Sequence, residues 1–267
     1  MSGGLDARLI ASFCVAIALD VLLPVAGVLW ARRRLGVGWK VVGVGALAFA
    51  LSQLFTRVPL TQVAQYFLRD TLKASALAMH VWIAVLSVTA GLFEETARLI
   101  AFRFPLKDFR RWKDAVGFGL GHGGLESALL TAGLATLSLI NVIAFSQMDL
   151  STLQLKPEQL EQMRAVKDQL AALRWWEPLL GAYERLTALI LHVALSVLVL
   201  QRFVRGQRRW YWLAVGFHAL TNETAVVVAR GVGAVAAEGV MTVVALLALW
   251  IILRLRSEEP PQASTES

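Results

Sequence analysis

Residues Gly117 to Glu126 read Gly-Phe-Gly-Leu-Gly-His-Gly-Gly-Leu-Glu, and this stretch decides how the rest of the chain is arranged. His122 and Glu126 are four residues apart, so a helix places them on one face. Five of the ten residues are glycine, which leaves room for neighbouring helices or a peptide backbone to come close. The surrounding sequence is apolar enough to lie in lipid, where an ionisable group usually marks a functional site.

The composition places the chain in a membrane. Its 267 residues are 57% hydrophobic with a mean hydropathy of +0.61, which is too apolar for a soluble domain. We therefore expect an all-α, polytopic transmembrane helical bundle of about seven spans, since apolar stretches of about 20 residues recur throughout. The predicted spans are Leu9–Trp30, Val41–Phe55, Leu77–Phe102, Ala115–Phe145, Leu179–Phe203, Tyr211–Ala229 and Val235–Leu253.

The segments outside the spans complete the predicted organisation. Residues 1–256 are predicted to form a single transmembrane domain, in which 146–178 is an external polar insertion. Pro157 and the acidic residues after it predict the start of a helix inside this insertion. Residues 57–73 mix polar and apolar side chains and are predicted to lie at the membrane interface. Residues 257–267 are predicted to form a disordered cytoplasmic tail.

The basic residues give the orientation of the bundle. The net charge is +7, but the lysines and arginines collect in short loops between spans, so the charge does not indicate nucleic-acid binding. With the N-terminus outside and the C-terminus in the cytoplasm, the cytoplasmic segments hold 15 of the 26 basic residues, and the longer external segments hold nine. Cys14 is the single cysteine, which excludes an internal disulfide.

Four spans carry ionisable side chains at a similar depth. A rise of about 1.5 Å per residue places Glu94, His122 and His218 roughly 10–13 Å from the cytoplasmic ends of their helices. The same rise places His192 about 15 Å from its cytoplasmic end, level with Glu126. Unrelated charges would scatter in depth. We therefore predict that these groups meet on the cytoplasmic side of the membrane midplane.

Histidines and carboxylates that meet in a confined space form the ligand set of a zinc-like ion with an open position. A further carboxylate near the ion can act as general base in metal-assisted peptide hydrolysis. Arg98, four residues after Glu94, can orient one of the adjacent carboxylates Glu94 and Glu95. Which of them is the base stays open, because adjacent helix positions point about 100° apart. Asn222, one turn after His218, can ligate weakly or donate to a developing oxyanion.

Three motifs lie in order on separate spans: Glu94-Glu95-x-x-Arg98, Phe118-x-x-x-His122 and His218-x-x-x-Asn222. Together they resemble the CPBP (Abi) intramembrane metalloproteases, a superfamily that includes the type II CAAX prenyl endopeptidases. The fuller pattern Gly121-His122-Gly123-Gly124-x-Glu126, with a further helix carrying Glu184-Arg185 and His192, is more similar to the PrsW and YhfC branches, and most to YhfC. The resemblance covers the part of the chain from Gly91 to Asn222.

The resemblance implies an integral membrane peptidase with a glutamate base and a metal held mainly by histidines. The implied catalytic residues are Glu94, Glu95, Arg98 and Asn222. The implied metal ligands are His122, Glu126, His192 and His218. Glu126 and Asn222 would be further ligands or would orient the others. The cofactor would be a divalent metal ion, with zinc as the first choice.

The sequence favours an intramembrane metalloendopeptidase that cleaves a membrane-anchored or lipid-modified peptide. We expect it in a prokaryotic-type plasma (inner) membrane, with its active site toward the cytoplasm. Its partners would be a membrane-embedded peptide or protein and the lipid bilayer, and no nucleic acid. The alternative is a proton-coupled transporter that uses the same buried groups as a relay, although we find none of the internal duplication that carriers show. A catalytically silent scaffold of the same fold is a third interpretation.

Overall fold

The computed structural model of the chain describes residues 6–152, 154 and 156–256, and the regular elements within them are all helical. The all-α prediction is thereby confirmed. The α-helices of this described part are α1 (Ala7–Leu35), α2 (Trp39–Phe49), α3 (Val58–Ala74), α4 (Ala76–Arg103), α5 (Trp112–Leu125), α6 (Ala132–Gln147), α7 (Pro157–Ala171), α8 (Glu177–Val204), α9 (Arg209–Gly231) and α10 (Ala234–Arg254). The predicted tail, 257–267, lies outside the described residues.

Two π-helical segments join pairs of these helices into longer runs. Ala50–Arg57 links α2 to α3, and Glu126–Thr131 links α5 to α6. The predicted second span ended at Phe55, but the helix continues through the π-helical segment to Ala74. Pro59, which has no N–H to donate, follows at the second position of α3, where α-helical hydrogen bonding is already interrupted. The interfacial position of this region stays a prediction.

Six helical runs are long and apolar enough to cross a membrane: α1, α2 with α3, α4, α5 with α6, α8 and α10. The further predicted span, α9, is a helix of 23 residues but is not among the six. Its middle carries His218, Thr221, Asn222 and Glu223, polar side chains that lower its hydropathy. The number of seven spans and the orientation of the termini therefore stay predictions.

The central helix of the bundle is α8. In its most apolar stretch, 72% of the residues are buried, against 11–33% in the other five membrane-crossing candidates. Around it pack α1, α5, α9 and α10, while α2 packs against α5 and α4 packs against α9. Side chains that point between α4, α5, α8 and α9 are therefore enclosed by protein.

The glycines of α5 bring its backbone close to two neighbours. A Cβ on Gly121 would lie 2.1 Å from the Val42 carbonyl oxygen of α2, and a Cβ on Gly119 would lie 2.5 Å from the Val193 Cα of α8. Both distances are too short for any side chain, so the two contacts require glycine. The predicted close approach of neighbouring helices is confirmed, and it presses α5 against the helix that carries His192.

The polar insertion contains the predicted helix. It begins at Pro157 as expected and ends at Ala171, and none of its residues is fully buried. Leu170, near its end, packs against the small apolar cluster of Leu9, Phe13 and Val142. The insertion therefore lies over the ends of α1 and α6, and its external position stays a prediction.

Candidate functional site

The structure brings the ionisable groups of four helices together around the carboxylate of Glu94. His122 Nε2 of α5 lies 2.8 Å from Glu94 Oε2. His192 Nδ1 of α8 lies 3.8 Å from the same oxygen, and His218 Nε2 of α9 lies 3.9 Å from Glu94 Oε1. All four side chains are buried. The predicted meeting of these groups is thus seen in the structure, while their depth in the membrane, the side they face and their chemical roles stay predictions.

The second carboxylate of the pair, Glu95, is held from two sides. It forms an ion pair with Arg98, whose side chain is fully buried and also lies 3.6 Å from Glu94 Oε2. Glu95 Oε1 is 2.8 Å from His218 Nδ1. An anchored Nδ1 leaves Nε2 of His218 directed toward Glu94. Glu95 and Arg98 therefore fix the orientation of one histidine of the cluster.

A further carboxylate lies on the opposite side of His192. Glu126 Oε2, at the start of the second π-helical segment, is 2.6 Å from His192 Nε2. Its other oxygen accepts from Arg185 Nη1 at 3.0 Å, and Arg185 also pairs with Glu184. The pair His192 and Glu126, placed level by the depth estimate, is in contact.

Two residues of the site were missed in the sequence analysis. Gln53, in the first π-helical segment, donates from Nε2 to Glu94 Oε1 at 2.7 Å. Its own Oε1 accepts from Arg57 Nη1 at 2.9 Å, and Arg57 Nη2 donates to the Leu86 carbonyl. The available signal was a polar side chain within an apolar span, followed four residues later by an arginine. Glu94 therefore has a third anchor, in addition to His122 and Arg98.

One predicted catalytic residue lies beside the cluster and not in it. Asn222 lines two adjoining cavities of about 270 Å³ each, and it makes no hydrogen bond to the cluster within the described part of the chain. His80, outside the predicted site, is exposed, and its ring contacts the Ala76 carbonyl of its own helix. The catalytic role of Asn222 stays a prediction.

Comparison with known proteins identifies the family. The model of the YhfC intramembrane metalloprotease family matches residues 19–245. This chain belongs to that family. It is also 31% identical over 245 residues to a Bacillus subtilis (strain 168) protein described as uncharacterized membrane protein YhfC, an alignment that covers 90% of this chain and 93% of that protein. No solved structure matches the chain. The motif-based resemblance is confirmed, and the family and the six apolar helices indicate an integral membrane protein.

The cluster of this YhfC-family chain fits a metal ion. Glu94, His122 and His192 each offer a buried ligand atom, and these atoms all lie within 4.8 Å of one another. Nitrogen and oxygen ligands of a zinc-like ion lie about 2.0–2.2 Å from it, so such donors need only small movements to share one ion. His122 Nδ1 and Glu95 Oε2 are buried without a hydrogen-bond partner among the described residues. Unsatisfied buried groups of this kind are expected where an ion or water binds.

Proposed function

We propose that this chain is an intramembrane metallopeptidase that hydrolyses a membrane-anchored or lipid-modified peptide. One observation carries the proposal: inside a bundle of apolar helices, ring nitrogens of three histidines from three helices surround the Glu94 carboxylate. Buried ionisable groups are costly in such a bundle, which favours a functional role over a structural one. The family description supports the same activity. We expect the site to face the cytoplasmic side of a prokaryotic plasma membrane.

We assign the metal to the histidine side of the cluster. His122 and His192 would hold a divalent ion, zinc first, with His218 as a further donor. When bound, the ion would supply Lewis-acid polarisation of the peptide carbonyl. Glu126, in contact with the Nε2 side of His192, would complete the ligand set or hold that ring in place.

We assign different roles to the two adjacent glutamates. Glu94 is the proton acceptor for the attacking water, since it faces the three imidazoles, and each of its oxygens keeps a free lone pair beside one hydrogen bond. Glu95 is a positioning residue, because its ion pair with Arg98 and its bond to His218 direct that histidine. Asn222, which lines the cavities beside the cluster, would donate its amide to the developing oxyanion of the bound peptide.

Metal analysis and peptide profiling test this function together. Purified full-length protein is expected to carry about one zinc-like ion per chain, which a His122→Ala, His192→Ala variant loses. The matched control is His80→Ala, because His80 is an exposed histidine on α4 away from the cluster. In cells, membrane peptides of the wild type are compared with those of a Glu94→Ala, Glu95→Ala variant by proteomics. Identical peptide profiles, or metal content independent of both histidines, would contradict the proposal.

A further inference from the structure

A cavity lies between α8, α9 and α10, beside the histidine cluster. It has a volume of about 270 Å³. Most of its wall is apolar, and its polar lining includes Glu184, Arg185, Thr221, Asn222 and Glu238. Since one water molecule takes about 30 Å³ of liquid volume, the cavity has room for a side chain of several heavy atoms. The charged and polar groups in its wall therefore determine which ligand the cavity can bind.

Glu238 contributes a carboxylate to the wall of this cavity. Glu238 lies on α10 and is 9% exposed. Its Oε2 is buried without a hydrogen-bond partner within the described part of the chain. Leaving a buried carboxylate without a counter-charge in an apolar bundle is costly. A cation bound in the cavity would remove that cost.

The arginine in the cavity wall is already shared by two other carboxylates. Arg185 donates to Glu126 Oε1 at 3.0 Å and pairs with Glu184. Together with Glu238, three carboxylates thus face one guanidinium. Arg57, which lines the adjoining cavity, uses its three nitrogens on Thr89, Gln53 and the Leu86 carbonyl. In the lining of this cavity itself, two carboxylates, Glu184 and Glu238, lie with the one guanidinium of Arg185, so the net charge is negative, which favours a cationic occupant over an anionic one.

We propose that this cavity binds a cationic group of the substrate, an alkylguanidinium or alkylammonium such as an arginine or lysine side chain, between Glu238 and Glu184. The cavity adjoins the cluster through Arg185, which contacts Glu126, itself 2.6 Å from His192 Nε2. The identification of the occupant as part of a substrate rests on the proposed peptidase function. The binding of a cation in this cavity is independent of that function.

Binding of n-butylguanidinium tests the site directly. Full-length protein in lipid nanodiscs, with metal removed by a chelator, is titrated with n-butylguanidinium and with the neutral isostere n-butylurea, and thermal unfolding is followed. We expect saturable stabilisation of the wild type by n-butylguanidinium only. Glu238→Gln is expected to weaken this binding by about 10-fold or more, since it removes a charge-assisted contact. The control is Glu223→Gln on α9, which removes a carboxylate outside the cavity lining.

The outcomes separate this inference from the peptidase function. Equal responses to the two compounds, no saturable response, or unchanged binding by Glu238→Gln would each overturn the cation site, whatever the metal content. If the cation binds, peptides that accumulate in the Glu94→Ala, Glu95→Ala cells are expected to be enriched in lysine or arginine near the cleavage position. Without that enrichment, the assignment of the cation to the substrate is wrong.

Discussion

The Nη2 atom of Arg98 lies 2.7 Å from Nδ1 of His192, and this contact determines which nitrogen of the histidine ring accepts a hydrogen bond. A guanidinium only donates hydrogen bonds, so Nδ1 is the acceptor. In the neutral ring, Nε2 then carries the proton and faces Glu126 Oε2 at 2.6 Å, so a metal ion would bind His192 only by displacing one of these two partners. The arginine therefore orients two carboxylates and one imidazole from a single buried position.

Arg98→Lys is expected to disturb the fold and the site together. A lysine keeps the charge but cannot serve Glu95, His192 and Ser196 at once, because it lacks the planar fork of donors. The loss of one charge-assisted hydrogen bond predicts destabilisation by about 1.5–3 kcal/mol. Thermal unfolding of the purified protein measures it. Arg69→Lys, an exposed exchange on α3, is the control, and equal stability of the two variants would contradict the role given to Arg98.

Glu94→Gln and Glu95→Gln are expected to differ in severity. An amide at position 94 cannot accept the proton of water, so peptide processing should fall by about 10²–10⁴-fold. An amide at position 95 weakens the orientation of His218 and should cost about 10–100-fold. Processing is followed as the accumulation of membrane peptides over time after induced expression. A larger loss at position 95 would reverse the two assignments.

Gln53→Met is expected to slow peptide processing while the helix remains intact. Methionine approximates the length of glutamine but cannot donate to Glu94 or accept from Arg57. Losing such an orienting contact should lower activity by about 10–100-fold. The control is Gln62→Met on α3, where the side chain is exposed. If both variants process peptides at the wild-type rate, Gln53 does not position Glu94.

Two glycine variants are expected to change stability in opposite directions. Gly121→Ala places a methyl group against the Val42 carbonyl and should destabilise the protein by about 1–3 kcal/mol. Gly43→Ala, on α2, meets nothing within 4 Å and should stabilise it by up to about 1 kcal/mol through helix propensity. Thermal unfolding in one detergent compares them. Unchanged or raised stability of Gly121→Ala would show that the α2 to α5 contact is less tight than described.

The sequence predicted most of the fold because apolar runs and basic loops mark helix ends. The fifth predicted span, Leu179–Phe203, differs from α8 (Glu177–Val204) by two residues at one end and one at the other. The meeting of His122, His192 and Glu94 followed from depth alone, since helix rise is constant. Depth carries no information on direction around the helix axis. It therefore left open which of the two adjacent glutamates faces the histidines.

Gln53 and Arg57 show where this reasoning stops. Both belong to a π-helical segment, in which the spacing of side chains departs from 3.6 residues per turn, so helical periodicity does not give the face on which they lie. Their contacts with α4 also connect residues about 30–40 positions apart, and local sequence does not encode these pairings. The lack of a partner for Glu238 Oε2 among the described residues could likewise not be predicted from the sequence, because the environment of this side chain depends on how α8, α9 and α10 pack.

The π-helical segment Glu126–Thr131 lets the continuous helix formed by α5 and α6 pack against different neighbours before and after it. Before it, Gly119 and Gly121 of α5 are turned toward α8 and α2, and after it Leu139 and Val142 of α6 are turned toward α1. Each residue of an α-helix accounts for more than a quarter of a turn. Shortening the chain by a single residue within this segment would preserve the helix but swing one half around relative to the other. Insertions and deletions that most helices tolerate at their ends are thus not tolerated within this segment.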